Sequence, residues 1–263
     1  MTMDKARFIA LGSRLKGVPE VLTLGVKPNF YDYTPSERNL ILTSTPILFP
    51  TKNYAQFLST MGRKIFPSLE TYLFAEDKIK QTTMFYMSGI PHPRTRIYYH
   101  LHYNDILRDF DFPFIAKLPR GSAGGRGVFK IKNIRDLEAY LNNTSVAYIQ
   151  EYIPHDRDVR VVLINYDPIL SYWRVSAQGE FRTNVYQKGS IVFDNVPTEA
   201  ILCAQKTARM CNFDDVGLDL IEHKGRWLII EANMKYGRKG LSMKGLNLKE
   251  IIRNKLLSGN LCR

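Results

Sequence analysis

Of 263 residues only three are cysteine and two tryptophan, and no apolar run approaches the roughly 18 residues that a membrane-spanning helix requires. Cys203, Cys211 and Cys262 are too few and too scattered for a disulfide framework or a zinc site. Cys203 and Cys211 instead suit a helix that carries them as small apolar residues. The five histidines show no metal-ligand spacing beyond His100 and His102, a pair that suits ordinary surface or packed positions. The stretch 1–30 lacks the continuous apolar core and small-residue cleavage site of a secretory leader. Repeats, low-complexity linkers and a nucleophile–base pair for covalent catalysis are absent too. These absences together predict a cytoplasmic protein with no membrane partner.

Positive charge is plentiful. The formal charge is +12, and residues 235–263 hold Lys235, Arg238, Lys239, Lys244, Lys249, Arg253, Lys255 and Arg263 against Glu250 alone. An acidic substrate, phosphates, nucleic acid or simply a solvated helix face would each suit that run. A nucleic-acid surface would interleave aromatics with the cations, and none follows Tyr236. Nucleic acid is therefore not expected as a partner. The length suits one large domain or two to three packed lobes, and 44% hydrophobic with 24% charged residues is ordinary for a folded soluble chain.

By pattern, residues 1–40 are irregular, with turn signals from Gly12 to Pro35. The run 39–50 predicts a buried strand and the loop after it, and 54–62 a helix, so 1–74 is taken as a short N-terminal lobe. A helix over 77–88 is stopped by Gly89-Ile90-Pro91. Strands are predicted at 94–99, 112–118, 128–131, 146–153, 159–164, 169–175, 216–221 and 227–232. Helices are predicted at 133–142 and 198–212, the latter with Pro197 suited to the first helical position. Antiparallel strands with flanking helices make an α+β protein.

Between Lys117 and Val128 the chain packs Gly121, Gly124, Gly125 and Gly127 into seven residues. Glycines let backbone N–H groups close on phosphate oxygens. The Gly-Lys-Ser/Thr ending of a P-loop is missing, and a strand follows where a P-loop has a helix. The pattern predicts a strand–loop–strand flap, with a ligand-free mobile hairpin as the plain alternative. Lys117 on the entering strand is placed to offer phosphate a point charge.

Residues 217–233 suggest two strands joined at Lys224-Gly225-Arg226. Glu231 and Asn233, two apart, share one face. Asp219 joins them if the hairpin loop has an odd number of residues; a two-residue loop would separate it. Three oxygen ligands on one face, two of them anionic, suit Mg²⁺. Asp219 could instead be an ordinary strand-end charge, as could Glu222. Glu231, however, follows Trp227-Leu-Ile-Ile230, where an unpaired carboxylate is costly to bury.

These pieces in this order resemble the ATP-grasp superfamily, and within it the RimK-type glutamate ligases. The resemblance runs from about Asn39 onward. It rests on Ala75-Glu-Asp-Lys78, Ile115-Ala-Lys117 with the glycine loop, Gln150-Glu-Tyr-Ile153, Asp158-Val-Arg160, Gly179-Glu-Phe-Arg-Thr-Asn184, Val216-Gly-Leu-Asp219 and Glu231-Ala-Asn233. It implies an ATP-grasp fold, two α+β subdomains gripping ATP, over 75–263. The glycine-flap part would span about 75–145 and the metal-binding part about 146–263. It further implies that Lys78, Lys117 and the loop residues Gly121, Ser122, Gly124, Gly125 and Gly127 serve the phosphates. The backbone of Glu151, Tyr152 and Ile153 would pair with adenine. Asp158 would meet the ribose, and Arg182 and Asn184 would also serve the nucleotide. Asp219, Glu231 and Asn233 would hold Mg²⁺ or Mn²⁺, two ions in all. Arg160 and Arg174 would lie beside the reacting carboxylate and the transferred phosphate.

The chain departs from that family after Glu231-Ala-Asn233. A small neutral loop is usual there, and this chain has Met234-Lys-Tyr-Gly-Arg-Lys-Gly240. Lys235, Arg238 and Lys239 are accordingly expected to meet an acidic substrate. The implied activity is an ADP-forming carboxylate–amine ligation through an acyl phosphate, with ATP, a carboxylate and an amine as partners and a homo-oligomer allowed. Two alternatives stand beside it: an ATP-grasp kinase that only phosphorylates, and a catalytically silent nucleotide binder with a basic tail for an acidic partner.

Overall fold

The computed structural model describes residues 7–99, 103–121, 127–177 and 189–261. No helix in these residues is long and apolar enough to cross a membrane. The N-terminal stretch that looked irregular builds a sheet. β1 (Phe8–Ala10), β2 (Val21–Thr23), β3 (Ile47–Leu48) and β4 (Ile65–Phe66) lie in the order β2-β1-β3-β4, each pair parallel. Strands this short show no readable period of two. In the run 39–50, read as a strand and the loop after it, the first five residues are the end of a helix, α1 (Pro35–Thr43), and only Ile47–Leu48 is strand. A capping box decides this: Thr34 accepts from the Glu37 N–H, Glu37 accepts from the Thr34 N–H, and Pro35 fills the first turn. α2 (Lys52–Thr60) and α3 (Leu69–Leu73) complete the lobe.

Alternation along these strands gives the lobe two apolar faces. Ile9, Ile47 and Ile65 pack with Ile41, Ala55 and Leu58. Ala10, Leu48 and Phe66 face a second core, which they share with Val162, Ile164, Tyr172, Leu248, Ile252 and Leu256 from far along the chain.

The middle of the chain runs α4 (Lys78–Met87), β5 (Thr95–Tyr98), α5 (Tyr103–Asp109), β6 (Phe114–Lys117), β7 (Val128–Ile131), α6 (Ile134–Leu141) and β8 (Ala147–Glu151). Its strands form an antiparallel sheet ordered β5-β8-β6-β7 over Phe110, Phe114, Ile131, Leu137 and Ile149. β8 hydrogen-bonds between β5 and β6, so this sheet takes in residues up to Glu151.

The rest is β9 (Arg157–Ile164), β10 (Asp167–Val175), β11 (Ser190–Val192), α7 (Thr198–Met210), β12 (Asp215–His223), β13 (Arg226–Asn233), α8 (Lys239–Met243) and α9 (Leu248–Leu257). The five strands lie antiparallel in the order β11-β10-β9-β12-β13. Val159, Val161, Leu163, Val216, Leu218 and Leu220 present one face to Ala200, Ala204 and Ala208 of α7, whose small side chains let the helix sit close. Pro197 is the N-cap of α7, one position earlier than expected. Cys211 just beyond it is buried, and burial pushes its thiol up to about 12, so it is inert at neutral pH.

Candidate active site

The hairpin β12–β13 turns through two residues, Lys224 and Gly225, both at positive φ (51° and 73°), and not through three. Counted from that turn, Leu220 faces Ile229 and His223 faces Arg226. Continued unbroken, this register would put Ile230 opposite Asp219 and turn Glu231 to the other face. A β-bulge at Ile230 intervenes, and beyond it Asp219 lies opposite Glu231 and Gly217 opposite Asn233. Asp219 and Glu231 therefore do share a face, by a route that loop parity did not foresee.

That face carries a row of buried charge. Asp158 on β9 is the register partner of Arg174 on β10, and Arg160 on β9 that of Asp219 on β12. Arg174 donates Nε–H and Nη2–H to the two oxygens of Asp158 at 2.7 and 2.5 Å. Arg160 donates the same pair to Asp219 at 2.5 and 2.6 Å. Arg174 Nη2 also lies 3.0 Å from Asp219 Oδ2, which accepts from Asn233 Nδ2 at 3.0 Å. Burial alone would raise the Asp219 pKa. The two guanidiniums more than offset this and hold its carboxyl below the usual range. Glycine at 217 leaves room for the chain after Asn233: a Cβ there would stand 2.9 Å from Tyr236 Cβ.

Two lysines reach this row, one from a helix and one from another sheet. Lys78 opens α4 and Lys117 ends β6; both are buried. Lys78 Nζ lies 3.4 Å from Glu231 Oε1. Lys117 is pushed down to about 8, chiefly by burial; Glu231 works against that shift and the charge of Lys78 adds to it. Asp219, Glu231, Lys78 and Lys117 thus converge from β12, β13, α4 and β6.

A family model described as RimK-like ATP-grasp domain matches residues 75–256. This chain belongs to the RimK-like ATP-grasp family. The coenzyme gamma-F420-2:alpha-L-glutamate ligase of Methanococcus maripaludis is 27% identical over 206 residues, which cover 74% of this chain and 71% of that protein. A probable alpha-L-glutamate ligase of Vibrio vulnificus is 25% identical over 174 residues, 64% of this chain and 58% of the relative. The chain therefore spans a little over half of the Vibrio protein. A solved RimK domain ATP-grasp protein from Sphaerobacter thermophilus shares the fold, with a TM-score of 0.65 at 14% identity, covering 95% of this chain and 98% of that one.

The other positions singled out in this RimK-like chain fall as follows. Glu151 ends β8 and its Oε1 accepts from the Arg94 N–H at 2.6 Å. Tyr152 lies under Lys130, whose Nζ is 3.7 Å from the ring centroid, and Ile153 is buried. The three link the four-stranded sheet to β9. Asp158 is buried with its carboxylate on Arg174. Gly121 takes φ 68°, and the Gly127 carbonyl accepts from the Leu118 N–H at 2.8 Å, closing the base of the glycine loop. Ser122, Gly124, Gly125, Arg182 and Asn184 lie outside the described residues.

Of the three cations after Asn233, Lys235 is tied to Glu76, both carboxylate oxygens 3.1 Å away. Arg238 and Lys239 are exposed at the start of α8. Sequence reasoning missed Arg14. It hydrogen-bonds Asp215 Oδ2 and lies over the rings of Phe49 and Tyr236, at 5.2 and 5.9 Å. Tyr236 donates its hydroxyl to the other oxygen of Asp215 at 2.7 Å. No local pattern could signal a contact between residues 201 positions apart.

Proposed function

We propose that this chain is an ATP-dependent carboxylate–amine ligase whose buried charged row holds the metal and faces the triphosphate. One observation carries the reading: Asp219 stands directly opposite Glu231, with Asn233 beside them, and two buried lysines face them, Lys78 from α4 and Lys117 from β6. Among the described residues no three His, Cys, Asp or Glu side chains form a metal cluster. The donor set is two carboxylates and an amide, which fits Mg²⁺, an ion that completes its shell with phosphate and water. Asp219, Glu231 and Asn233 would hold the ion, which would supply positive charge to offset that of the phosphates.

The chain's own groups do the rest. Lys78 and Lys117 hold phosphate oxygens, and the glycine run begins directly beyond Lys117. Arg160 and Arg174 keep Asp219 ionised and fixed, and place positive charge where an acyl phosphate develops. A substrate carboxylate oxygen attacks the γ-phosphorus and the P–O bond to ADP breaks. The amine nitrogen then attacks the acyl carbon, the C–O bond to phosphate breaks, and the proton that the nitrogen loses leaves with the departing phosphate. Neither step needs a side-chain nucleophile, so positioning and charge neutralisation suffice. The relatives named glutamate ligases make glutamate the first amine to try. Arg238 and Lys239, exposed just past the row, support an acidic carboxylate substrate. Lys235 is engaged with Glu76 and contributes less to it.

ADP release over pools of carboxylates and amines tests this. Release should need both substrates and vanish in Glu231→Ala. Release with a carboxylate alone would favour a phosphorylating enzyme, and full turnover by Glu231→Ala would reject the metal assignment. Neutralising Arg238 and Lys239 together should raise the KM of the acidic substrate and leave that of ATP unchanged.

A further inference from the structure

We infer that Asp77 and Arg120 form a positioning pair that sets Lys78 beside Lys117. The inference rests on the reading that these lysines hold the triphosphate. They come from different elements, and neither α4 nor β6 by itself fixes the distance between them. Two buried like charges also repel, so something must hold them together.

A short antiparallel bridge does so. Asp77 pairs with Arg120, and the Lys78 N–H donates to the Pro119 carbonyl at 3.0 Å. The Asp77 carboxylate then bonds to both sides of that bridge. Its Oδ1 accepts from the Lys80 N–H at 3.1 Å and so caps α4. Its Oδ2 accepts from Arg120 Nε at 2.9 Å. One carboxylate thus grips the first turn of the helix that carries Lys78 and the residue three beyond Lys117. Burial works against its charge, yet Arg120 and the Lys80 N–H keep its carboxyl below the usual range.

The Arg120 side chain is mostly exposed, at 64%. An ion pair with so exposed a member adds little to global stability, so what it contributes is geometry. The neighbouring residue extends the anchor. Glu76, held at φ 59°, takes Lys235 on its carboxylate. Adjacent acids therefore fasten the segment just past Lys117 and the segment just past Asn233 to one point of the chain.

Calorimetric titration with Mg²⁺ and a non-hydrolysable ATP analogue, AMPPNP, tests the pair. The set is wild type, Arg120→Ala, Asp77→Ser, their double variant and Lys117→Ala. Serine still caps α4 but cannot hold the guanidinium. Each single variant should weaken AMPPNP binding about tenfold, with the double no worse than either, as coupled residues behave. The unfolding midpoint should stay within about 2 °C of wild type. Arg120→Lys should recover part of the affinity. Unchanged affinity in the single variants, losses that multiply in the double, or losses that track a fall in midpoint would each overturn the pair. Lys117→Ala separates the two readings. If it binds AMPPNP as wild type does, the site reading fails and takes this inference with it. If it binds weakly while Arg120→Ala does not, the positioning pair alone fails.

Discussion

The C-terminal run and the charged face of the five-stranded sheet both carry cations, but they are built in opposite ways. In the run, the cations are neighbours in sequence and disperse in space. Lys235 goes to Glu76, Lys249 to the Lys16 carbonyl, Arg253 to Glu20 and Lys255 to Asp167, while Lys244 lies 4.5 Å from the Phe193 ring. On the sheet, Asp158, Arg160, Arg174, Asp219 and Glu231 are scattered over more than seventy positions and converge. Three of the run's cations, Lys249, Arg253 and Lys255, fasten α9 to the N-terminal lobe and to β10. The buried row is a network in which each ion depends on the others. Clustering in sequence was the weaker guide to a site; strand register was the stronger.

The contrast breaks hardest at Asp219. Asp219→Ala leaves Arg160 and Arg174 buried without their shared counter-charge, and the expected loss is about 3–5 kcal/mol. Urea denaturation reads it, and a loss under about 1 kcal/mol would mean that the row is no closed network. Asp214 sharpens the contrast, being a buried carboxylate held by neutral donors. It accepts from the Ser68 N–H at 2.8 Å and the Thr71 hydroxyl at 3.1 Å. Burial, helped by Asp215, raises it from 3.8 to about 7. The folded chain therefore binds more protons than the unfolded chain between those values. This stabilisation is full below about pH 4 and is lost as pH rises through about 7. Asp214→Asn should remove that fall, so its midpoint gains on wild type from pH 4 towards 7; parallel midpoint curves would assign the slope elsewhere. The smallest effect belongs to Arg253→Gln at the surface. The midpoint should shift slightly, less so in high salt, and AMPPNP affinity should hold. A clear loss of affinity would join the run to the site after all.

What could be read in advance follows from length and period. Long strands such as β9, β10, β12 and β13, and α4 with its Gly89 stop, announced themselves. The two- and three-residue strands β1 to β4 carry too few positions for a period. α1 looked like a strand because Leu40-Ile-Leu is apolar whichever way it folds, and only the cap at Thr34 decides. Within the proposed site, Lys117, Glu231 and Asn233 were singled out by type and spacing, Asp219 only on the premise of an odd loop that the two-residue turn does not meet, and Lys78 only by the family resemblance. The pairings Arg174–Asp158 and Arg160–Asp219 depend on which strands lie side by side, and Arg14 on a fold that brings the first lobe against β12. Such facts are set by topology and leave no mark on neighbouring residues.

The extra residue at Ile230 acts as a clutch. As far as Ile229 the hairpin keeps step with its turn, and from Glu231 onward it keeps step with Asp219. Lys224-Gly225 could be replaced by another two-residue turn, or fray and re-form, without a carboxylate changing sides. The loop end of this hairpin is thereby open to drift in sequence, while the end that carries Asp219 and Glu231 runs on its own count.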